Sequence, residues 1–270
     1  MFEIRFYGRS DVGRRRTTNE DSYALCEDEG MGMVCDGMGG HDRGEVASRL
    51  AVEIFSERIS RAWSTLNNPR LKLSKARAMA QDLIVQWTQQ ANAEIHRMGN
   101  PDGTTNFKQR MGTTLALVLF VSDFVVVAHV GDSRIYRLRE GEIKQLTEDH
   151  VIQAEAKRHP ADPRPPRMRK YVTRSLGTKP SVRPDVQLFD ARAEDVYVLC
   201  SDGLSDLVDE SEIMEVLDRC SMDLRKAVRS LIALANKRGG NDNVTVVVGE
   251  VVEEEDDDDT EAMVVRERKG

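Results

Sequence analysis

Three runs, Leu115–Phe120, Val125–Val127 and Val196–Cys200, are apolar without a break. A strand with one face in water alternates apolar and polar residues, so an unbroken run belongs to a strand buried on both faces. The first two lie in a wider series, Thr114–Val121, Phe124–Val130 and Ile135–Leu138, divided only by Ser-Asp and Gly-Asp-Ser. That spacing predicts an antiparallel meander. Further strands are expected at Ile4–Tyr7, Ser22–Cys26, Met31–Cys35 and Val244–Val252. Val46, Ala47, Leu50, Ala51, Ile54, Phe55 and Ile59 recur at helical spacing and predict a helix over Glu45–Trp63. Leu73–Met98, Glu210–Arg219 and Leu224–Lys237 read as helices as well. Strands and helices alternate without a clean βαβ period.

Several classes of protein are excluded early. No stretch reaches the roughly 18 uncharged apolar residues of a membrane helix. The opening Met1–Ser10 carries charges where a signal peptide needs its apolar segment. A net charge of -7 argues against generic nucleic-acid binding. Cys26, Cys35, Cys200 and Cys220 lack metal-type spacing, and Cys35 and Cys200 end apolar runs. They read as reduced core thiols of a soluble, cytoplasmic protein.

Chemistry collects where the apolar strands stop. Asp36 follows Met33-Val34-Cys35 and opens Asp36-Gly37-Met38-Gly39-Gly40. Asp202 follows Val196–Cys200 and opens Asp202-Gly203-Leu204. Asp242 stands just before Val244–Val248, and Asp132 sits in Gly131-Asp132-Ser133. Turns use Asp and Gly freely. Four such sites at strand ends point further, because converging carboxylates repel one another and a hard divalent cation with oxygen preference resolves that repulsion. Ahead of them stands Gly13-Arg14-Arg15-Arg16-Thr17-Thr18-Asn19-Glu20-Asp21. Arginine is the side chain best shaped for bidentate contact with phosphate.

The ordered set Arg16-x-x-Asn19-Glu20-Asp21, Asp36-Gly37-Met38-Gly39-Gly40, Gly112-Thr113-Thr114, Gly131-Asp132-Ser133-Arg134, Leu146-Thr147-x-Asp149-His150, Ser201-Asp202-Gly203-Leu204 and Asp242-Asn243-Val244-Thr245 resembles the metal-dependent serine/threonine protein phosphatases, the PPM or type 2C family, in bacterial form. The resemblance runs from about Tyr7 to Glu250. It implies an α/β, layered α+β fold: an α-β-β-α sandwich of two antiparallel sheets flanked by helices. It implies a centre of two Mn²⁺ or Mg²⁺ ions. Asp36 would bridge them, the Gly37 carbonyl would bind one, and Asp202 and Asp242 the other. Glu20 and Asp21 would support the metals directly or through water. Asp132, with Asp202, matches the position where bacterial members hold a third ion. Arg16 would grip the substrate phosphate. The implied reaction is hydrolysis of phosphoserine and phosphothreonine in proteins by a metal-bridging water, without a phosphoenzyme. Some members carry a histidine directly after Asp-Gly; here that position is Met38, and His41 stands three residues further on.

The expected organisation is one phosphatase domain over 1–252 and an acidic, disordered tail over 253–270. The expected partners are phosphorylated proteins and a serine/threonine kinase, with a monomeric chain and neither nucleic acid nor membrane. The basic, proline-bearing segment His150–Arg174 corresponds to the flap of that family. The carboxylate run Glu253–Asp259 could compete with substrate by folding onto it. Two other readings stay open: a catalytically silent regulatory module of the same fold, and a phosphohydrolase of small molecules. No predicted ligand is missing, which disfavours the first. No Walker-type phosphate loop is present, which disfavours nucleotides.

Overall fold

The computed structural model describes residues 2–39, 43–100, 111–155 and 168–253. Gly40, His41, His159, the four prolines of the basic segment and the acidic run from 254 onward lie outside the described residues. The chain runs β1 (Phe2–Asp11), β2 (Asp21–Cys26), β3 (Met31–Gly39), α1 (Arg43–Leu66), α2 (Leu73–Gly99), β4 (Met111–Thr113), β5 (Leu115–Val121), β6 (Phe124–Val130) and β7 (Arg134–Arg139). It continues with β8 (Glu142–Gln145), β9 (Val151–Glu155), β10 (Met168–Val172), β11 (Asp185–Asp190), β12 (Val196–Cys200), α3 (Asp202–Ser205), α4 (Glu210–Arg219), α5 (Leu224–Lys237) and β13 (Val244–Glu253).

Two large antiparallel sheets form, and β9 and β10 pair as a separate two-stranded sheet. One large sheet has the order β1-β13-β12-β7-β8 and the other β11-β6-β5-β3-β2, with β4 joined to β3. Their side chains sort by a period of two. In β5, Leu115, Leu117, Leu119 and Val121 enter the core shared with α1 and α2. Ala116, Val118 and Phe120 point the other way, into the layer between the sheets. In β12, Val196, Val198 and Cys200 face α4 and α5, while Tyr197 and Leu199 face the inter-sheet layer. Phe120 and Tyr197 meet edge-on across that layer, with ring centroids 5.1 Å apart. The unbroken apolar runs are thus strands in the middle of an α-β-β-α sandwich. Each fully buried Leu, Val or Phe there contributes about 1.5–3 kcal/mol.

The helices follow from their stripes. Ala47, Ala51, Phe55 and Ile59 of α1 are fully buried, and Trp87 of α2 packs edge-on against Phe55. Helix α4 starts at a complete capping box between Asp209 and Glu212. Helices α4 and α5 and strand β12 have the expected bounds. The meander strands also lie within a residue of their expected bounds, but they do not share one sheet. Strands β5 and β6 pair over their whole length, but β7 leaves that sheet and pairs with β12 in the other one. The crossing happens at Gly131, whose φ of +113° suits glycine. Strand β1 is longer than expected because it pairs with β13 from Phe2 to Asp11. Strands β4, β8, β9, β10 and β11 were not expected. They are short, and β8 and β11 are partly exposed.

Candidate functional site

One end of the sandwich gathers the aspartates. Asp21 and Asp36 are directly opposed across the β2–β3 pair. Asp202 starts α3 immediately beyond β12, Asp242 stands just before β13, and Asp132 occupies the crossing between β6 and β7. The side chains feel one another. Burial first, then the charges of Asp21, Asp202, Asp132 and Asp242, push the Asp36 carboxyl well above the usual carboxylate range. Burial, then Asp132, Asp206 and Asp242, raise Asp202 to about 7, against the opposing charge of Lys170. Burial also raises Asp21 to about 6; bonds from Thr245 and Ser201 restrain it, and Asp242 and Glu20 add to the rise. Asp36 and Asp202 still keep part of their surface open to solvent. The cluster is therefore a crowded anionic pocket that a small cation can reach.

Hydroxyls and amides fix the backbone of Asp36 and the carboxylate of Asp21. The Thr113 hydroxyl and the Thr114 N–H both donate to the Asp36 carbonyl at 2.9 Å, and the Asp36 N–H donates to the Thr114 hydroxyl at 2.8 Å. Ser133 and Thr114 share a hydrogen bond of 2.7 Å. Ser201 and Thr245 donate to the Asp21 carboxylate at 2.8 and 2.7 Å. Gly37 lies so close to its neighbours that a Cβ there would come within 2.3 Å of the Glu20 and Gly44 carbonyl oxygens. Only glycine fits that packing. The Glu20 carboxylate accepts the Gly44 N–H at 3.2 Å, beside the start of α1.

Arg16 stands at the rim. It donates to Asp242 at 2.7 Å, with side-chain exposures of 48% and 36% for the two partners, so it is reachable from solvent. Burial opposes its charge, yet the Asp242 hydrogen bond and the charges of Asp242, Glu20 and Asp36 raise its pKa. Asn243 fixes the loop that carries it. The Asn243 amide donates to the carbonyls of Val12 and Thr18 at 3.0 and 2.9 Å and accepts the Glu20 N–H at 2.9 Å. Sequence reasoning quoted Asn243, Thr113, Thr114, Ser201 and Thr245 within motifs and assigned them no role. Asn243 and Ser201 adjoin an aspartate and the threonines do not, and neither position says what a hydroxyl or amide will bind.

A lysine from β10 reaches the same pocket and was missed altogether. Lys170 Nζ lies 2.9 Å from Asp132, 3.4 Å from Asp206 and 3.8 Å from Asp149. Arg134 grips Asp149 through two bonds of 3.0 and 2.9 Å. Behind the Gly131 turn, ligand atoms of His129, His150 and Asp185 come within 4.8 Å of one another. The His129 ring lies 4.6 Å from that of His150. This second group is braced internally. His150 accepts the Gly131 N–H at 3.0 Å through Nδ1 and meets Asp185 at 2.8 Å through Nε2, and Arg174 also bonds Asp185.

A family model for protein phosphatase 2C matches residues 10–236. The serine/threonine phosphatase stp of Listeria monocytogenes is 34% identical over 259 residues, covering 90% of this chain and 94% of that protein. The serine/threonine protein phosphatase PstP of Mycobacterium tuberculosis is 35% identical over 265 residues; the match takes in 92% of this chain and 45% of PstP. The crystal structure of the PstP catalytic domain with two manganese ions superposes with a TM-score of 0.74 at 32% identity, covering 94% of this chain and all of that one.

Proposed function

The chain belongs to the protein phosphatase 2C family, and from that premise we propose how its own residues carry out the family's activity, the metal-dependent removal of phosphate from serine and threonine of proteins. The observation that carries the proposal is the convergence of Asp21, Asp36, Asp132, Asp202 and Asp242, with Asp202 held near 7 by burial and its neighbours. Buried carboxylates that repel one another fit a pair of hard divalent ions, Mn²⁺ or Mg²⁺. Asp36, central to the mutual repulsion, would hold both ions, with Asp202 and Asp242 on one and the Gly37 carbonyl on the other; Asp21 and Glu20 would support them directly or through water. When bound, such a pair supplies an activated water and neutralises phosphoryl charge.

The remaining tasks fall to the protein. Arg16 binds the phosphate at the rim, where its planar fork has donors beyond the one engaged by Asp242. The hydroxyls of Ser201 and Thr245 keep the Asp21 carboxylate from turning away, and the Thr113 and Thr114 hydroxyls fix the Asp36 backbone. No cysteine is placed to act as nucleophile: burial raises the thiols of Cys35 and Cys200, the latter to about 12. Four free cysteines, three of them buried, are in keeping with a reducing compartment, and no described helix is long and apolar enough to cross a membrane. A cytoplasmic monomer acting against a serine/threonine kinase completes the proposal.

The test compares a phosphothreonine peptide with nucleoside triphosphates and small phosphate esters of metabolism, with added Mn²⁺ and with chelator. Peptide turnover that depends on Mn²⁺ is expected. Turnover of the small molecules alone would favour a metabolite phosphohydrolase, and no turnover of any substrate would favour a silent module.

A further inference from the structure

The Asp132 side of the pocket already holds a cation. Lys170 stands on β10, opposite Gln153 of β9 in the two-stranded sheet. Its ammonium meets Asp132, Asp206 and Asp149 at 2.9, 3.4 and 3.8 Å. The Asp132 side chain is 4% exposed, against 26% for Lys170, so the pair is well shielded from water. Burial works against the lysine charge, but the Asp132 bond and the charges of Asp132, Asp206 and Asp202 outweigh it. The same ammonium opposes the rise of Asp202. Asp149 cannot easily turn elsewhere, since Arg134 holds both its oxygens.

A divalent ion on this side needs oxygens that Lys170 engages, and it would sit beside a positive charge in a shielded place. The expected third ion between Asp132 and Asp202 therefore does not fit the pocket as it is built. On the two-ion reading of the neighbouring cluster, on which this rests, we infer that Lys170 is the pocket's resident third cation: its ammonium takes the place of a third divalent ion and ties the β9–β10 sheet to the site. Lys170 acts through Asp132 and Asp202 and is a positioning residue.

The experiment counts bound manganese by equilibrium dialysis and elemental analysis of the full chain. Wild type should hold two ions. Lys170→Asn should gain a third, weaker site, and Lys170→Arg, which keeps the charge, should return to two. The double variant Lys170→Asn with Asp132→Asn should also hold two. A melting curve confirms that each variant is folded. A wild-type count of three, or no gain in Lys170→Asn, overturns the assignment. A wild-type count below two counts against the two-ion reading itself; the difference between wild type and Lys170→Asn still decides the role of the lysine.

Discussion

Without metal, Asp202 titrates at about 7 because burial and the charges of Asp132, Asp206 and Asp242 disfavour its ionised form. Its pKa is thus higher in the folded protein than the roughly 3.9 of an unfolded chain. The folded state binds the proton more tightly, so stability from this group is present at low pH and is lost as pH climbs from about 4 through about 7. Asp21, raised to about 6, has the same sign. Chelated wild type should melt at a lower temperature at pH 8 than at pH 5.5. Asp202→Asn, which cannot ionise, should stabilise the chelated protein at pH 8 by about 1–2 kcal/mol, several degrees in Tm. It should also lower phosphatase turnover by about 1000-fold. Calorimetry and peptide kinetics measure both, and a loss of stability at pH 8 would count against the repulsion described. For Arg16→Ala, kcat/KM should fall by about 100-fold with an unchanged circular dichroism spectrum, and Arg16→Lys should recover only part of it. Asp202 stands out in the sequence because an aspartate just past a buried strand is conspicuous, and Arg16 because it closes a run of three arginines. Lys170 does not, because one lysine among seven basic residues of Lys157–Arg174 carries no mark of the carboxylates it will meet.

Elements were legible where pattern and burial coincide. Helix α5 buries Ala227, Val228, Leu231, Ile232 and Ala235 on one stripe, and β12 is buried throughout. The pattern says which faces are buried and leaves open which sheet covers them, so the path of β7 from one sheet to the other was out of reach. The loop from Val12 to Glu20 is similar: its arginines are plain in sequence, while its shape depends on Asn243, more than 220 positions away. Asn243→Ala removes bonds to Val12, Thr18 and Glu20 and leaves partly buried backbone groups without partners. A loss of about 2–3 kcal/mol in denaturant unfolding is expected, with a rise in KM for phosphopeptide as Arg16 loses its fixed position. An unchanged KM in a folded variant would show that Arg16 does not depend on that loop.

At the scale of the whole molecule, two sheets close face to face and bring the start of β2, the later part of β3, the β6–β7 crossing and the approaches to α3 and β13 to one edge, which turns aspartates up to 221 positions apart, Asp21 to Asp242, into one pocket. Each carboxylate alone is an ordinary strand, turn or helix-start residue; their repulsion exists only in the assembled sandwich. The order of motifs announced that assembly through its resemblance, and the distances between them did not. The most direct measurement is anomalous diffraction from a crystal of this protein grown with Mn²⁺. Two manganese peaks should lie within ligand distance of Asp36, one of them also reaching Asp202 and Asp242. Peaks absent from Asp36, or found only at His129, His150 and Asp185, would contradict the account.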